Sequence, residues 1–196
     1  MRTPPPAPPP RRCACTREGF DARAIRAIRA IRLRAVDVAH AIIGGGEEGG
    51  KRSIRTKEEA DHSLPWMVAV VLLDGGLTPE QYRPERIVAE DVQELMTRVE
   101  IVPDDELSAR FPDAMPADLE VTLSDGSVLN SVRDTYEGFH TDLLSGEGAR
   151  AKFDLLAVPF TAAELREEIA GVVGDLEHRG VAELTAALAR VSTTRA

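Results

Sequence analysis

Asp61 and His62 form the one adjacent Asp/His pair in the chain. An imidazole titrates near neutrality, so it can shuttle a proton or, once protonated, hold a carboxylate. The neighbouring carboxylate is a second candidate for acid–base work. The competing account is structural, with His62 closing a helix break and orienting the next helix. His140 sits in a loop after a hairpin pattern, where it can face a cleft or simply face water. Lys51, Arg52 and Arg55 make a basic loop just before the pair. Such a loop suits an anionic ligand, and a merely solvated loop has the same composition. His40 and His178 read as ordinary helix residues. Four scattered His and the two cysteines, Cys13 and Cys15, make no metal set, so no metal site and no cofactor is expected. Gly44, Gly45 and Gly46 lack the spacing of a phosphate-binding loop and read as a turn.

Several elements must position these groups. Thr56 with Glu59 three residues on is a capping box. Pro65 disfavours helix at Leu64, so a break is expected near Ser63 and Leu64. Ser63 then caps a second helix through Leu73, with Pro65 in its first turn, where a missing N–H costs nothing. That helix is apolar nearly all round and must be buried on several sides. Upstream, alternation predicts a strand over 28–35 with Arg32 and Arg34 on the wet face, then a helix over 37–43. Downstream, Thr78 and Pro79 predict a short helix to Tyr82. A helix over 89–99, a strand over 99–103 and a helix or turn over 104–111 come next. Asp125 and Gly126 predict a β-hairpin over 117–134 with a two-residue turn. That turn sets Leu123 opposite Val128, Val121 opposite Asn130 and Leu119 opposite Val132, with Leu129 on the wet face. Ser145 caps a further helix, Thr161 with Glu164 makes a second capping box, and a last helix spans 181–191. Their apolar stripes need a partner surface. The fold class is α+β: a small, partly antiparallel sheet with helices on one face, followed by C-terminal helices.

Bulk composition narrows the field. The chain has 196 residues, 43% hydrophobic and 29% charged, which suits one domain or slightly more. Aromatics are only 4%, so aliphatic side chains fill the core. A formal net charge of −9 argues against a nucleic-acid binder. The charge is uneven: residues 1–57 carry 13 Lys/Arg and 5 Asp/Glu, a balance of +8, which leaves −17 for the rest. Residues 1–23, rich in Pro and Arg, read as a disordered tail. Residues 24–144 read as an α+β domain and 145–196 as C-terminal helices. No apolar run approaches the ~20 residues of a membrane span, and no secretory signal is visible. Cys13 and Cys15 are too close for an easy disulfide and read as thiols of a reducing compartment. Together these point to the cytoplasm.

Residues 56–75, T-K-E-E-A-D-H-S-L-P-W-M-V-A-V-V-L-L-D-G, resemble a motif of the MmgE/PrpD family, which includes 2-methylcitrate dehydratase and cis-aconitate decarboxylase. Other segments occur in family order: I-R-L-R-A-V-D-V-A-H-A-I-I-G-G-G at 31–46, V-Q-E-L-M at 92–96, V-E-I-V at 99–102 and A-R-F-P at 109–112. Met115 and Pro116 come next, then V-T-L-S-D-G at 121–126, Y-E-G-F-H-T at 136–141 and A-K-F at 151–153. Roughly residues 24–190 are covered. Two departures stand out. Trp66 replaces the usual Tyr, and residues 142–148 replace a segment that commonly holds Pro and aromatics.

The resemblance implies a lyase of propionate catabolism resembling 2-methylcitrate dehydratase, dehydrating a tricarboxylate without a cofactor. It implies a lid-like domain followed by helices that return to a larger helical domain. That helical domain precedes the lid in the family and is absent from this sequence. The family's main acid–base residues lie mostly there, so this chain is expected to be incomplete for catalysis alone. Asp61 and His62 are the catalytic candidates within it, and Trp66 and His140 the substrate-binding ones. An indole N–H donates but cannot accept, so Trp66 is not equivalent to a tyrosine. The expected partners are a tricarboxylate, if a helical domain completes the site, and a protein partner or a second copy; nucleic acid and membrane are not expected. Two alternatives stay open: a non-catalytic binding or assembly module that pairs with a separately encoded helical domain, and a decayed, truncated gene product.

Overall fold

The computed structural model describes residues 25–46 and 53–192, with the backbone of Arg11 and Arg12. Most of the Pro/Arg-rich tail, and Lys51 and Arg52, lie outside the described residues. The chain falls into two compact units that divide between Tyr136 and Glu137. The first is a mixed sheet with helices. Strand β1 is the two-residue segment Arg11–Arg12, and β2 spans Ile28–Ala35. Helices α1 (Asp37–Ile43), α2 (Lys57–Asp61), α3 (Leu64–Asp74), α4 (Pro84–Ile87) and α5 (Glu90–Met96) lead to β3 (Val99–Pro103). Then come α6 (Asp105–Ser108), β4 (Ala117–Leu123) and β5 (Val128–Arg133). The sheet order is β1-β5-β4-β2-β3. β2 runs parallel to β3, which requires the long helical crossover between them, and antiparallel to β4. The α+β class and the mixed sheet agree with the expectation from sequence.

Alternation along β2 explains its burial. Ile31, Leu33 and Ala35 are buried, while Arg32 is exposed and Arg34 half-buried on the opposite face. The buried face meets α3 and α5 in a core of Ile28, Ile31, Trp66, Val70, Val92 and Val121, among others. On the other face Arg34 bonds Asp104 at 2.9 Å and Asp118 at 3.1 Å. α3 lies where the sequence placed it, with Trp66, Ala69, Val70 and Leu72 buried and Gly75 closing it in the left-handed region at φ +76°. Only glycine takes that conformation without strain.

Four local expectations are corrected. In the hairpin, Val121 pairs with Leu129 and Leu119 with Ser131, not with Asn130 and Val132. The turn has three residues, closed by Leu123 N to Ser127 O at 2.9 Å and Gly126 N to Leu123 O at 3.0 Å, with Gly126 at φ +82°. One residue of slip turns every side chain of β5 over. Leu129 therefore packs toward the core, and Val128 and Val132 are exposed. Residues 78–82 form successive turns rather than a helix. The helix begins at Pro84, because proline holds Arg83 extended at ψ 141°. The helix read over 89–99 is shorter, ending at Met96, and Val99 opens β3. Thr161 does not cap a helix: its hydroxyl donates to the Ala157 carbonyl at 2.8 Å, and the helix starts after Ala162.

The second unit holds α7 (Gly146–Ala157), α8 (Ala163–Gly174) and α9 (Val181–Leu188). Ser145 caps α7 by accepting from Gly148 N at 3.0 Å. Leu165, Ile169 and Ala187 make a small core with Phe153, Leu184 and Val191. Leu155, Val158, Val173 and Val181 stay exposed. Among the described residues no helix is long and apolar enough to cross a membrane.

Candidate functional site

The break between α2 and α3 is built by two caps. Thr56 Oγ accepts from Glu59 N at 3.2 Å, and the Glu59 carboxylate accepts from Arg55 N at 2.8 Å. The box thus closes one residue earlier than the usual reciprocal pair. Ser63, extended at φ −135°, accepts from Trp66 N at 3.3 Å and starts α3. His62 occupies the corner between them and is exposed. Its Nδ1 lies 2.9 Å from the Glu58 carbonyl. A carbonyl only accepts, so Nδ1 carries the proton and Nε2 keeps its lone pair. That tautomer makes Nε2 the basic nitrogen. His62 therefore closes the end of α2, and its Nε2 is not used by that bond.

Asp61 precedes it in the last turn of α2. The Lys57 ammonium lies 2.7 Å from its carboxylate. The Lys57 ammonium also stands 5.6 Å above the Tyr82 ring. The Lys57 hydrogen bond, aided by Tyr82, holds Asp61 below its ordinary value. Burial, with the charge of Asp61, pushes the Tyr82 hydroxyl up to about 12. Asp61 is thus a carboxylate held by Lys57, while Tyr82 keeps its phenolic proton through neutral pH.

Trp66 is fully buried. Its ring centroid lies 5.1 Å from that of Tyr82, and its indole N–H donates to the Ile87 carbonyl at 3.4 Å. Gln93 donates to the same carbonyl at 2.7 Å. The structure brings Asp61, His62 and Trp66 into one corner, with Trp66 beneath the surface. His140 belongs to the second unit, exposed, its ring 4.4 Å from that of Phe139. A tight turn holds it, with Gly138 N donating to Asp142 O at 2.7 Å and Gly138 at φ +97°.

Lys57 and Tyr82 were not among the sequence candidates. The i, i+4 spacing of Lys57 and Asp61 on a capped helix was a usable signal. Tyr82 gave none, because its contact depends on how the turn after α3 folds back. A groove of about 600 Å³ lies elsewhere in this unit, lined by Leu73, Asp74, Arg86, Asp91, Glu94 and Arg98, among others. Arg86 closes on Asp74 at 2.6 Å and Asp91 at 2.7 Å, so its charge is already compensated. Among the described residues no group of three His, Cys, Asp or Glu side chains is placed to hold a metal ion.

Sequence comparison bears on this corner. The profile of the family described as MmgE/PrpD C-terminal domain matches residues 15–178. The chain is 30% identical over 123 residues to cis-aconitate decarboxylase of Homo sapiens, covering 62% of this chain and 25% of that protein. It is 28% identical over 122 residues to the Mus musculus enzyme of the same name, with the same coverage. Against mitochondrial 2-methylcitrate dehydratase of Yarrowia lipolytica it is 29% identical over 113 residues, covering 56% of this chain and 21% of that protein. The chain spans about a quarter of the length of these relatives. With the family profile covering most of its length, the chain belongs to the MmgE/PrpD family and corresponds to that family's C-terminal domain.

Proposed function

We propose that this chain acts as the C-terminal, lid-like part of an MmgE/PrpD-type lyase that dehydrates a tricarboxylate such as 2-methylcitrate. The observation that carries the reading is the His62 corner: an exposed imidazole whose Nδ1 is bonded to the Glu58 carbonyl at 2.9 Å, leaving Nε2 free to take a proton. In such a dehydration a base removes the proton beside a carboxylate, the hydroxyl leaves as water with help from an acid, and cations hold the carboxylates. His62 supplies the base, with Asp61 as its companion in the same turn. Trp66 is a buried support under Tyr82, and His140, in the second unit, is a substrate-binding candidate on its own account. The leaving-group acid and the cations come from a helical domain that completes the site. A cytoplasmic setting and a role in propionate catabolism belong to the same proposal. So do the names of the relatives, which support a dehydratase or decarboxylase equally.

The test is a graft. Residues 15–178 replace the matching segment of a full-length relative, and the graft is compared with its His62→Gln form. The wild-type graft turns over substrate, and His62→Gln lowers kcat by about 10²–10⁴-fold, the usual share of one acid–base group. Equal rates from the two grafts remove His62 from the chemistry.

A second reading is favoured by the exposed apolar residues of α7–α9: Leu155 at 63%, Val158 at 55% and Val181 at 69% exposure. It makes the chain an assembly module for a helical partner or a second copy. A chain that stays monomeric and binds no hydrophobic dye argues against it.

A further inference from the structure

Ile54 is fully buried in the segment that leads into α2, outside any helix or strand. Its N–H and C=O therefore need partners from elsewhere. Gln93 of α5 supplies both. Its Oε1 accepts from the Ile54 N–H at 3.1 Å, and its Nε2 donates to the Ile54 carbonyl at 2.9 Å. The second Nε2 proton goes to the Ile87 carbonyl at 2.7 Å, the acceptor that the Trp66 indole N–H also uses, at 3.4 Å. The amide thereby employs its oxygen and both of its protons. Turned over, it would set an oxygen against two carbonyls, so its orientation is fixed. Ile54 precedes α2 and Trp66 follows it. The entry to the helix and the exit from it therefore hang on one point, the Ile87 carbonyl. With five residues, α2 is too short to persist on its own backbone hydrogen bonds. Its first turn continues directly from the clamp: the Arg55 N–H donates to the Glu59 carboxylate at 2.8 Å, and the Ala60 N–H to the Thr56 carbonyl at 3.0 Å. The acceptor for His62, the Glu58 carbonyl, belongs to the same short helix.

We propose that Gln93 is a positioning residue for His62. Its side-chain amide fixes the chain at Ile54, which sets where α2 begins and so where the Glu58 carbonyl meets the imidazole. The role rests on the proposed function in treating His62 as the proton-transfer group; the clamp itself does not. The requirement for an amide is chemical. Methionine has a similar length and volume but neither donates to a carbonyl nor accepts well from an N–H, so the buried Ile54 groups lose their partner. Asparagine keeps the amide but is one methylene too short to reach Ile54 and Ile87 together.

The experiment uses the full 196-residue chain, labelled with nitrogen-15, at a pH where the imidazole is neutral. The His62 ring signals are assigned by their loss in His62→Gln. In the wild type the Nδ1–H form dominates, held by the Glu58 carbonyl. In Gln93→Met the ratio of Nδ1–H to Nε2–H in the folded protein falls by about two- to tenfold, the scale of one hydrogen bond. A general loss of stability does not move that ratio, because it is read on folded molecules only. A lower melting midpoint with an unchanged ratio therefore marks Gln93 as a brace and overturns the proposal. Should Gln93→Met not fold, Gln93→Asn loosens the same clamp more gently, and an unchanged ratio there overturns it equally. The two levels fail separately. A fully active His62→Gln graft sinks the lyase reading and leaves the tautomer measurement standing, whereas an unchanged tautomer sinks this proposal whatever the graft does.

Discussion

Asp104 shows how one carboxylate ties two elements of the first unit. It caps α6 by accepting from Leu107 N at 2.9 Å and receives the Arg34 guanidinium of β2, also at 2.9 Å. The Leu107 amide and then Arg34 hold it below its ordinary value of 3.8. Asp61 is lowered too, chiefly by Lys57. A carboxylate depressed by folding stabilises the fold above its unfolded value, and that stability is lost as pH falls through the folded value. Urea midpoints should therefore hold from neutral pH down to about 4–5 and drop below it. Asp104→Asn should start lower at neutral pH and show a shallower acid limb, because an amide still caps but has no charge to lose. The caps at Thr56, Ser63, Asp104 and Ser145 rest on local spacing, which a sequence displays. The approach of Tyr82 to Lys57 rests on a chain reversal, which it does not.

At the scale of elements, β2, α1, α3 and β3 follow from periodicity and from Pro and Gly stops, and each falls within a residue or so of expectation. The hairpin is the instructive miss. Asp125 and Gly126 suit a two-residue turn, yet they also suit a three-residue loop with glycine in the left-handed position. Both β5 faces carry apolar residues, so alternation could not choose the register. The structure places Leu129 inward and Val132 outward. Leu129→Ala should cost about 1–3 kcal/mol, the lower range for a partly buried leucine. Val132→Thr should stay within about 0.5 kcal/mol, as exposed substitutions do. Urea denaturation of both variants decides it, and the two-residue register requires the opposite ranking. Residues 78–82 failed as a helix for a related reason. Pro84 so close behind fixes Arg83 in an extended conformation, and the short segment before it settles into turns.

For the whole molecule, the first unit has a continuous core, whereas the second builds a small one and leaves much apolar surface on α7–α9 exposed. The class of fold and the family were both readable from ordered motifs along the chain. How His140 relates to the His62 corner was not, because that depends on how separate units assemble. The account holds that this chain contributes a base and a lid while the remaining catalytic groups are supplied by a partner domain. Its most direct test is turnover of 2-methylcitrate and cis-aconitate by the purified 196-residue chain alone. The account predicts no consumption above the uncatalysed background; sustained turnover that disappears when the chain is removed would contradict it.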